Sequence, residues 1–218
     1  MKEIVIACET IRDEIQAAIN ITGHEQDIRW IKSGLHNIPE KLRSCLQQQL
    51  DQCNEYDRVL LTFGLCGNSI IGLNTGDFQL VIPKVDDCIS LLLGSVSERV
   101  KAGKDGGVYF ITPGWLRGER NIWAEYNYAV EKYGEKKGDM IMKLLLENYK
   151  YLGMLDTKIY NINEYTYTVD KIAEKLGLRR KIIPASVDYL CQLLTGPWQN
   201  DKFVVLEPHS QVAGFSVY

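Results

Sequence analysis

Close-spaced ligand pairs are missing: neither C-x-x-C nor H-x-x-x-H occurs in the 218 residues, which argues against a structural zinc knuckle. Histidine is scarce, with three in the whole chain. No G-x-G-x-x-G follows the first apolar run and no Walker A loop is present, so ordinary dinucleotide and ATP sites are not indicated. The G-x-S-x-G elbow of hydrolases is absent as well. No apolar run approaches the roughly 20 residues of a membrane helix. Excess positive charge is lacking too: 25 Lys and Arg face 28 Asp and Glu, a net charge of −3, which gives no electrostatic reason to expect nucleic acid. The first residues enter a strand without a charged leader, apolar signal core or cleavage site, and the expected compartment is the cytoplasm. There thiols stay reduced and serve metals, catalysis or packing more often than disulfides.

What is present is an alternation of strand-like and helix-like segments. The hydrophobic fraction of 45% and charged fraction of 24% are those of a globular protein, long enough for one large α/β domain or two small ones. Glu3 to Ala7, Arg58 to Leu65 and Leu80 to Pro83 read as buried strands, and Asp27 to Lys32 as an edge strand. Val108 to Thr112, Lys158 to Ile162, Lys181 to Pro184 and Phe203 to Glu207 read as further strands. Helical periodicity covers Thr10 to Ile19, Pro39 to Cys53, Cys88 to Lys101, Glu119 to Tyr133, Asp139 to Leu152, Val169 to Leu176 and Val187 to Leu194. The expected fold class is therefore α/β: a mostly parallel sheet with helices on both faces and right-handed crossovers.

A faint internal echo accompanies this alternation. Ile82-Pro83-Lys84-Val85-Asp86-Asp87-Cys88 resembles Ile183-Pro184-Ala185-Ser186-Val187-Asp188-Tyr189, each followed by a leucine pair. Two similar Rossmann-like halves, 1–105 and 106–218, would account for it, as would capping needs shared by any strand-to-helix junction. One continuous domain fits the same pattern.

Three of the six cysteines stand where strands run out: Cys8, Cys66 and Cys88. In an open parallel sheet ligands bind beyond the carboxyl ends of the strands, so these thiols can meet there. A soft metal or an iron–sulfur cluster suits three thiols, and three protein ligands leave a position open for water or substrate. Cys8 and Cys88 open helices, where the dipole is expected to favour thiolate. Around them, Gly64, Gly67 and Asn68 form a turn that lets the backbone approach a ligand. Glu9 and Asp87 are candidate acid–base groups, although each also suits a helix start. His209, after the last strand, is expected to reach the same edge as a fourth ligand or an acid–base group. Trp115, in the turn Thr112-Pro113-Gly114-Trp115, offers the wall of a pocket. Cys45, Cys53 and Cys191 lie among helical leucines and read as packing residues. The aromatic-rich stretch Ile122 to Tyr133 offers a homodimer surface.

The Leu65-Cys66-Gly67-Asn68 turn with Gly72-Leu73, the Ile82-Pro83…Asp87-Cys88-Ile89…Leu92-Leu93-Gly94-Ser95 segment and the Thr112-Pro113-Gly114-Trp115 turn resemble domain-of-unknown-function family 1638. That family occurs in anaerobic bacteria and methanogenic archaea. The resemblance implies a context rather than a reaction, since such genes accompany corrinoid-dependent methyltransferase systems for methylated amines. The expected function is a metalloprotein of anaerobic one-carbon metabolism. Its three cysteines would hold a 4Fe–4S cluster or a zinc ion, and it would act on a small molecule beside a corrinoid protein or methyltransferase. Two alternatives stay open: a metal-free two-cysteine enzyme of the racemase kind, and a non-catalytic corrinoid- or partner-binding accessory protein.

Overall fold

A computed structural model describes residues 1–118, 121–199 and 201–217. In chain order the elements are β1 (Glu3–Cys8), α1 (Arg12–Thr22), β2 (Asp27–Ile31), α2 (Pro39–Leu50), β3 (Arg58–Leu61), β4 (Gln79–Pro83), α3 (Cys88–Leu93) and α4 (Val96–Ala102). There follow β5 (Gly107–Ile111), α5 (Pro113–Arg117), α6 (Ile122–Tyr133), α7 (Glu135–Leu145) and β6 (Tyr149–Asp156). The chain ends with α8 (Asn163–Lys175), β7 (Arg179–Pro184), α9 (Asp188–Thr195) and β8 (Phe203–Leu206). Short 3-10 turns at Glu9–Ile11 and Leu35–Asn37 follow β1 and β2. The architecture is α/β and mostly parallel, of Rossmann-like kind.

The chain divides into two compact units, Met1–Ser97 with Val187–Tyr218, and Glu98–Ser186. This differs from the expected halves 1–105 and 106–218. The chain leaves the first unit and returns to it, because β8 pairs with β4 and α9 packs on α1 and α3. The two echoing junctions consequently do not head equivalent halves: β4 belongs to the first unit and β7 to the second.

The first unit's sheet has the order β2-β1-β3-β4-β8, with β1 to β4 parallel and β8 antiparallel. Its central strands are apolar throughout because both faces are covered: Ile4 to Ala7 and Val59 to Leu61 are buried. α2 buries the stripe Leu42, Leu46 and Leu50, each contributing about 1.5–3 kcal/mol relative to exposure. β1 pairs with β2 on one side and β3 on the other, so the strand order reverses there. Such a reversal makes a topological switch point, the crevice where open α/β sheets receive ligands.

The second unit is a parallel β5-β6-β7 sheet over a core that includes Ile111, Leu152, Met154, Met142 and Ile172. Here the expected helix Asp139 to Leu152 and strand Lys158 to Ile162 both give way. α7 ends at Leu145, and Tyr149–Asp156 forms the central strand β6. Gly153 explains the preference: a Cβ there would lie 2.4 Å from Val108 Cγ1 and 2.8 Å from Ile183 Cδ1, so neighbouring strands close over a position without a side chain. Lys158 to Ile162 is a connection, and the expected helix Glu119 to Tyr133 appears as α6, with residues 119 and 120 outside the described residues. The expected helix Cys88 to Lys101 is cut by Gly94, whose φ of +88° closes α3.

Candidate functional site at the carboxyl edge of the first sheet

β1 ends in Cys8, which sits in register with Ile31, so both strands finish at one edge. The Cys8 N–H donates to Thr62 Oγ1 at 3.3 Å, and its thiol donates to Thr10 Oγ1 at 3.3 Å. Cys8 is 7% exposed, held at the bottom of the edge between the β1 and β3 chain ends.

Beyond β3 the chain presses against the chain beyond β4. A Cβ on Gly64 would stand 2.3 Å from the Val85 carbonyl oxygen, so only glycine permits this approach. Leu65 N–H then donates to Val85 O at 2.9 Å and Cys66 N–H to Asp86 O at 2.7 Å. These bonds fasten Cys66 beside the Asp86-Asp87-Cys88 segment. Cys66, Gly67 and Asn68 follow with φ of 43°, 68° and 66°, three consecutive left-handed residues. For the two with a side chain this conformation costs roughly 1–2 kcal/mol each. It persists because neighbours hold it. Arg43 of α2 donates to Asn68 O at 3.0 Å and to Ser69 O at 3.4 Å, and Pro39 lies against Gly67. Strained backbone maintained in this way concentrates at functional sites.

Asp87 is the N-cap of α3, accepting from Ile89 N–H at 2.9 Å and Ser90 N–H at 3.1 Å. Cys88 is the first residue of that helix. Ser90 Oγ is fully buried there without a hydrogen-bond partner.

The electrostatics reverse the expectation of low-pKa thiols. Burial pushes the Cys8 thiol up, only partly offset by its hydrogen bonds to Thr10. Burial also raises Cys66, and Asp87, Cys8 and Asp86 add to the effect. Cys88 is raised by burial, then by Asp87, Cys8, Cys66 and Glu14. A single turn of 3-10 helix and a six-residue α3 carry too little dipole to outweigh desolvation and two nearby carboxylates. Cys8 thus acts on Cys66 and Cys88, and Cys66 on Cys88. Among the described residues no group of three or more His, Cys, Asp or Glu side chains is arranged to hold a metal ion.

The remaining expected site residues fall in different places. Glu9 pairs with Arg12 at 3.2 Å, in the short turn after Cys8. Gly64, Gly67 and Asn68 belong to the Cys66 turn. Trp115 lies on α5 in the second unit, where its backbone N–H donates to the Thr112 side chain at 3.0 Å. His209 does not reach the carboxyl edge. β8 runs antiparallel to β4, with Leu206 opposite Leu80, so the chain leaving β8 emerges at the amino edge. There the His209 ring meets Asp77 at 3.1 Å. His24 is likewise at the amino edge, against Glu3 at 3.2 Å.

His36, passed over in the sequence because no motif surrounds it, is the histidine at the carboxyl edge. It sits in the turn Leu35–Asn37 just before α2, the helix whose Pro39 and Arg43 grip the Cys66 turn. Desolvation lowers its pKa although the residue is exposed, and the charge of Asp87 opposes that shift. A signal for it existed in the strand order: a parallel β2 beside β1 must end at the same edge as Cys8. Cys53 is a packing residue whose thiol donates to Gln49 O at 3.1 Å, and Cys45 and Cys191 lie within α2 and α9.

A Rossmann-like sheet with Cys8 at the end of β1 and Cys66 beyond β3 defines an α/β protein with a candidate site at the carboxyl edge. The model of a family described as proteins of unknown function, DUF1638, matches residues 30–194, most of the chain, and the chain belongs to that family. No curated protein and no solved structure matches it. Among the described residues no helix is long and apolar enough to cross a membrane.

Proposed function

We propose that this protein is a cytoplasmic metalloprotein of anaerobic one-carbon metabolism in which Cys8, Cys66 and Cys88 supply thiol ligands at the carboxyl edge of the first sheet. The observation that carries the reading is the arrival at one sheet edge of Cys8 from the end of β1, Cys66 from the chain beyond β3 and Cys88 from the start of α3, with Cys8 near enough to raise the pKa of the other two. Their chemistry fits a soft acceptor, either a 4Fe–4S cluster or zinc, and three ligands leave a position open. Such a group, when bound, supplies an open coordination site that binds and polarises a small substrate. The chain's own part is to hold the donors: Gly64 allows the β3 and β4 chain ends to touch, Arg43 and Pro39 secure the Cys66 turn, and Asp87 fixes the start of α3. Loading must draw the thiols closer than they stand here and release their protons. The link to a corrinoid protein or methyltransferase rests on the family context alone.

The test is metal and sulfide analysis, with visible absorption, of protein purified without oxygen. A brown protein containing iron and sulfide identifies a cluster, a colourless one containing zinc identifies the ion, and a Cys66→Ser variant is expected to lose either. A second reading, a metal-free two-cysteine enzyme, is favoured by the raised thiol pKa values and the lack of a preformed ligand group. It is supported instead if the anaerobic protein carries no metal while alkylation of Cys8 or Cys66 is blocked by a bound small molecule.

A further inference from the structure

The break between α3 and α4, where the sequence reads as one helix, lines a cavity of about 310 Å³ in the first unit. Such a volume is at the lower end of small-molecule pockets. Its polar lining comes from Lys84, Ser95, Ser97, Tyr189, Asp201 and Lys202. Pairing of Pro83 with Phe203 brings the end of β4 and the start of β8 together at the carboxyl edge. Lys84 and Lys202, immediately beyond those residues, are therefore neighbours, and Lys84 N–H donates to Lys202 O at 2.7 Å. Both lysines line the one concavity. Among the described residues the Lys84 side chain has no ion-pair or hydrogen-bond partner. The Lys202 ammonium donates to Gln192 Oε1 at 3.2 Å, lies 5.4 Å from the Tyr189 ring centroid and makes a further contact besides these. Among the described residues Asp201 is the one carboxylate in the lining, and it is exposed. The Ser95 and Ser97 hydroxyls, also in the lining, stand 2.9 Å apart. Val96, Val217 and the Tyr189 ring complete the lining with apolar surface.

We infer that this cavity binds the tetrahedral oxyanion of a phosphorylated small molecule. Lysines act on phosphate as point charges from flexible stems, and the serine hydroxyls add donors that a chloride ion does not need. The apolar wall receives the uncharged part of the molecule. The site lies at the edge where open α/β sheets receive ligands, and the β4–α3 connection that carries Lys84 leads directly into Cys88. It does not depend on any metal at the thiols.

The probe is inorganic phosphate, titrated into the full chain against sodium chloride at equal ionic strength, with backbone amide resonances as the readout. Saturable shifts at residues 84, 94–97 and 201–202, absent with chloride, are expected. Lys84→Ala is expected to weaken binding roughly tenfold or more, equivalent to at least about 1.4 kcal/mol, with thermal stability unchanged. Lys84→Arg is expected to retain most of it. Shifts that never saturate, that chloride reproduces, or that Lys84→Ala leaves intact overturn the assignment.

Discussion

Replacing Gly64 by alanine tests how the thiol edge is assembled. The new Cβ would lie 2.3 Å from the Val85 carbonyl oxygen and 2.8 Å from both Val85 C and Cγ2. The nearest obstacle is backbone, and the same oxygen accepts the Leu65 N–H bond. Relief therefore requires the β3 and β4 chain ends to separate, which also breaks the Cys66–Asp86 bond. Overpacking of this kind costs about 1–3 kcal/mol. Losing two backbone hydrogen bonds adds about 1 kcal/mol each. The expected total is about 3–5 kcal/mol, a large part of the roughly 5–15 kcal/mol that stabilises a typical fold. In urea titrations followed by circular dichroism, with a slope of about 1–3 kcal/mol per molar, the midpoint should fall by at least roughly 1 M. Gly67→Ala is the control. Its φ of +68° and a 3.2 Å contact with Pro39 Cγ, a ring edge rather than backbone, point to a smaller loss, about 1–2 kcal/mol. A Gly64→Ala midpoint shift no larger than that of Gly67→Ala refutes the argument that backbone contact between the two chain ends builds the site.

Asp87 has two separable roles. Asp87→Asn should keep the helix cap and stability while lowering the Cys66 and Cys88 pKa values, read as faster iodoacetamide labelling at pH 8. Asp87→Ala should show the same labelling gain and lose about 1 kcal/mol of stability. The raised thiol pKa values also predict an alkaline dependence. Their folded pKa values lie above the unfolded one, so their stabilisation is complete below about pH 8.5 and declines as pH rises further. Urea midpoints measured from pH 7 to 10 should fall above that value, and less steeply in Cys88→Ser. Glu3 gives the opposite sign. Burial raises its pKa, but hydrogen bonds from His24, Gln26 and Arg58 outweigh this and hold it lowered. Its contribution is therefore complete above about pH 4.3 and lost as pH falls through the folded value. Glu3→Gln should flatten the acid side of the stability profile.

The apolar runs of β1, β3 and β4 made the first sheet legible, because strands covered on both faces need no alternation. The place of Cys8 at the end of β1 was legible for the same reason, whereas Cys66 lies in the connection beyond β3 and Cys88 opens α3. Less could be read where long-range contact decides. β6 contains Gly153 and follows a helical period, and only closure of Val108 and Ile183 over that glycine selects strand. His209 was misplaced because a strand's direction does not show in its residues, and β8 pairs antiparallel. His36 became visible only through the position of β2 in the strand order. The thiol pKa values were misjudged because helix starts are local, whereas the burial and the Asp86 and Asp87 carboxylates that outweigh them are supplied by the folded edge.

The central claim is that sulfur from residues 8, 66 and 88 can share one metal. X-ray absorption on the anaerobically purified chain, at the zinc or iron edge, measures this most directly. For zinc, three sulfur scatterers at about 2.3 Å are expected, and the zinc–sulfur shell is expected to be lost in Cys66→Ser. A first shell of nitrogen and oxygen alone, or a sulfur count untouched by that substitution, would contradict it.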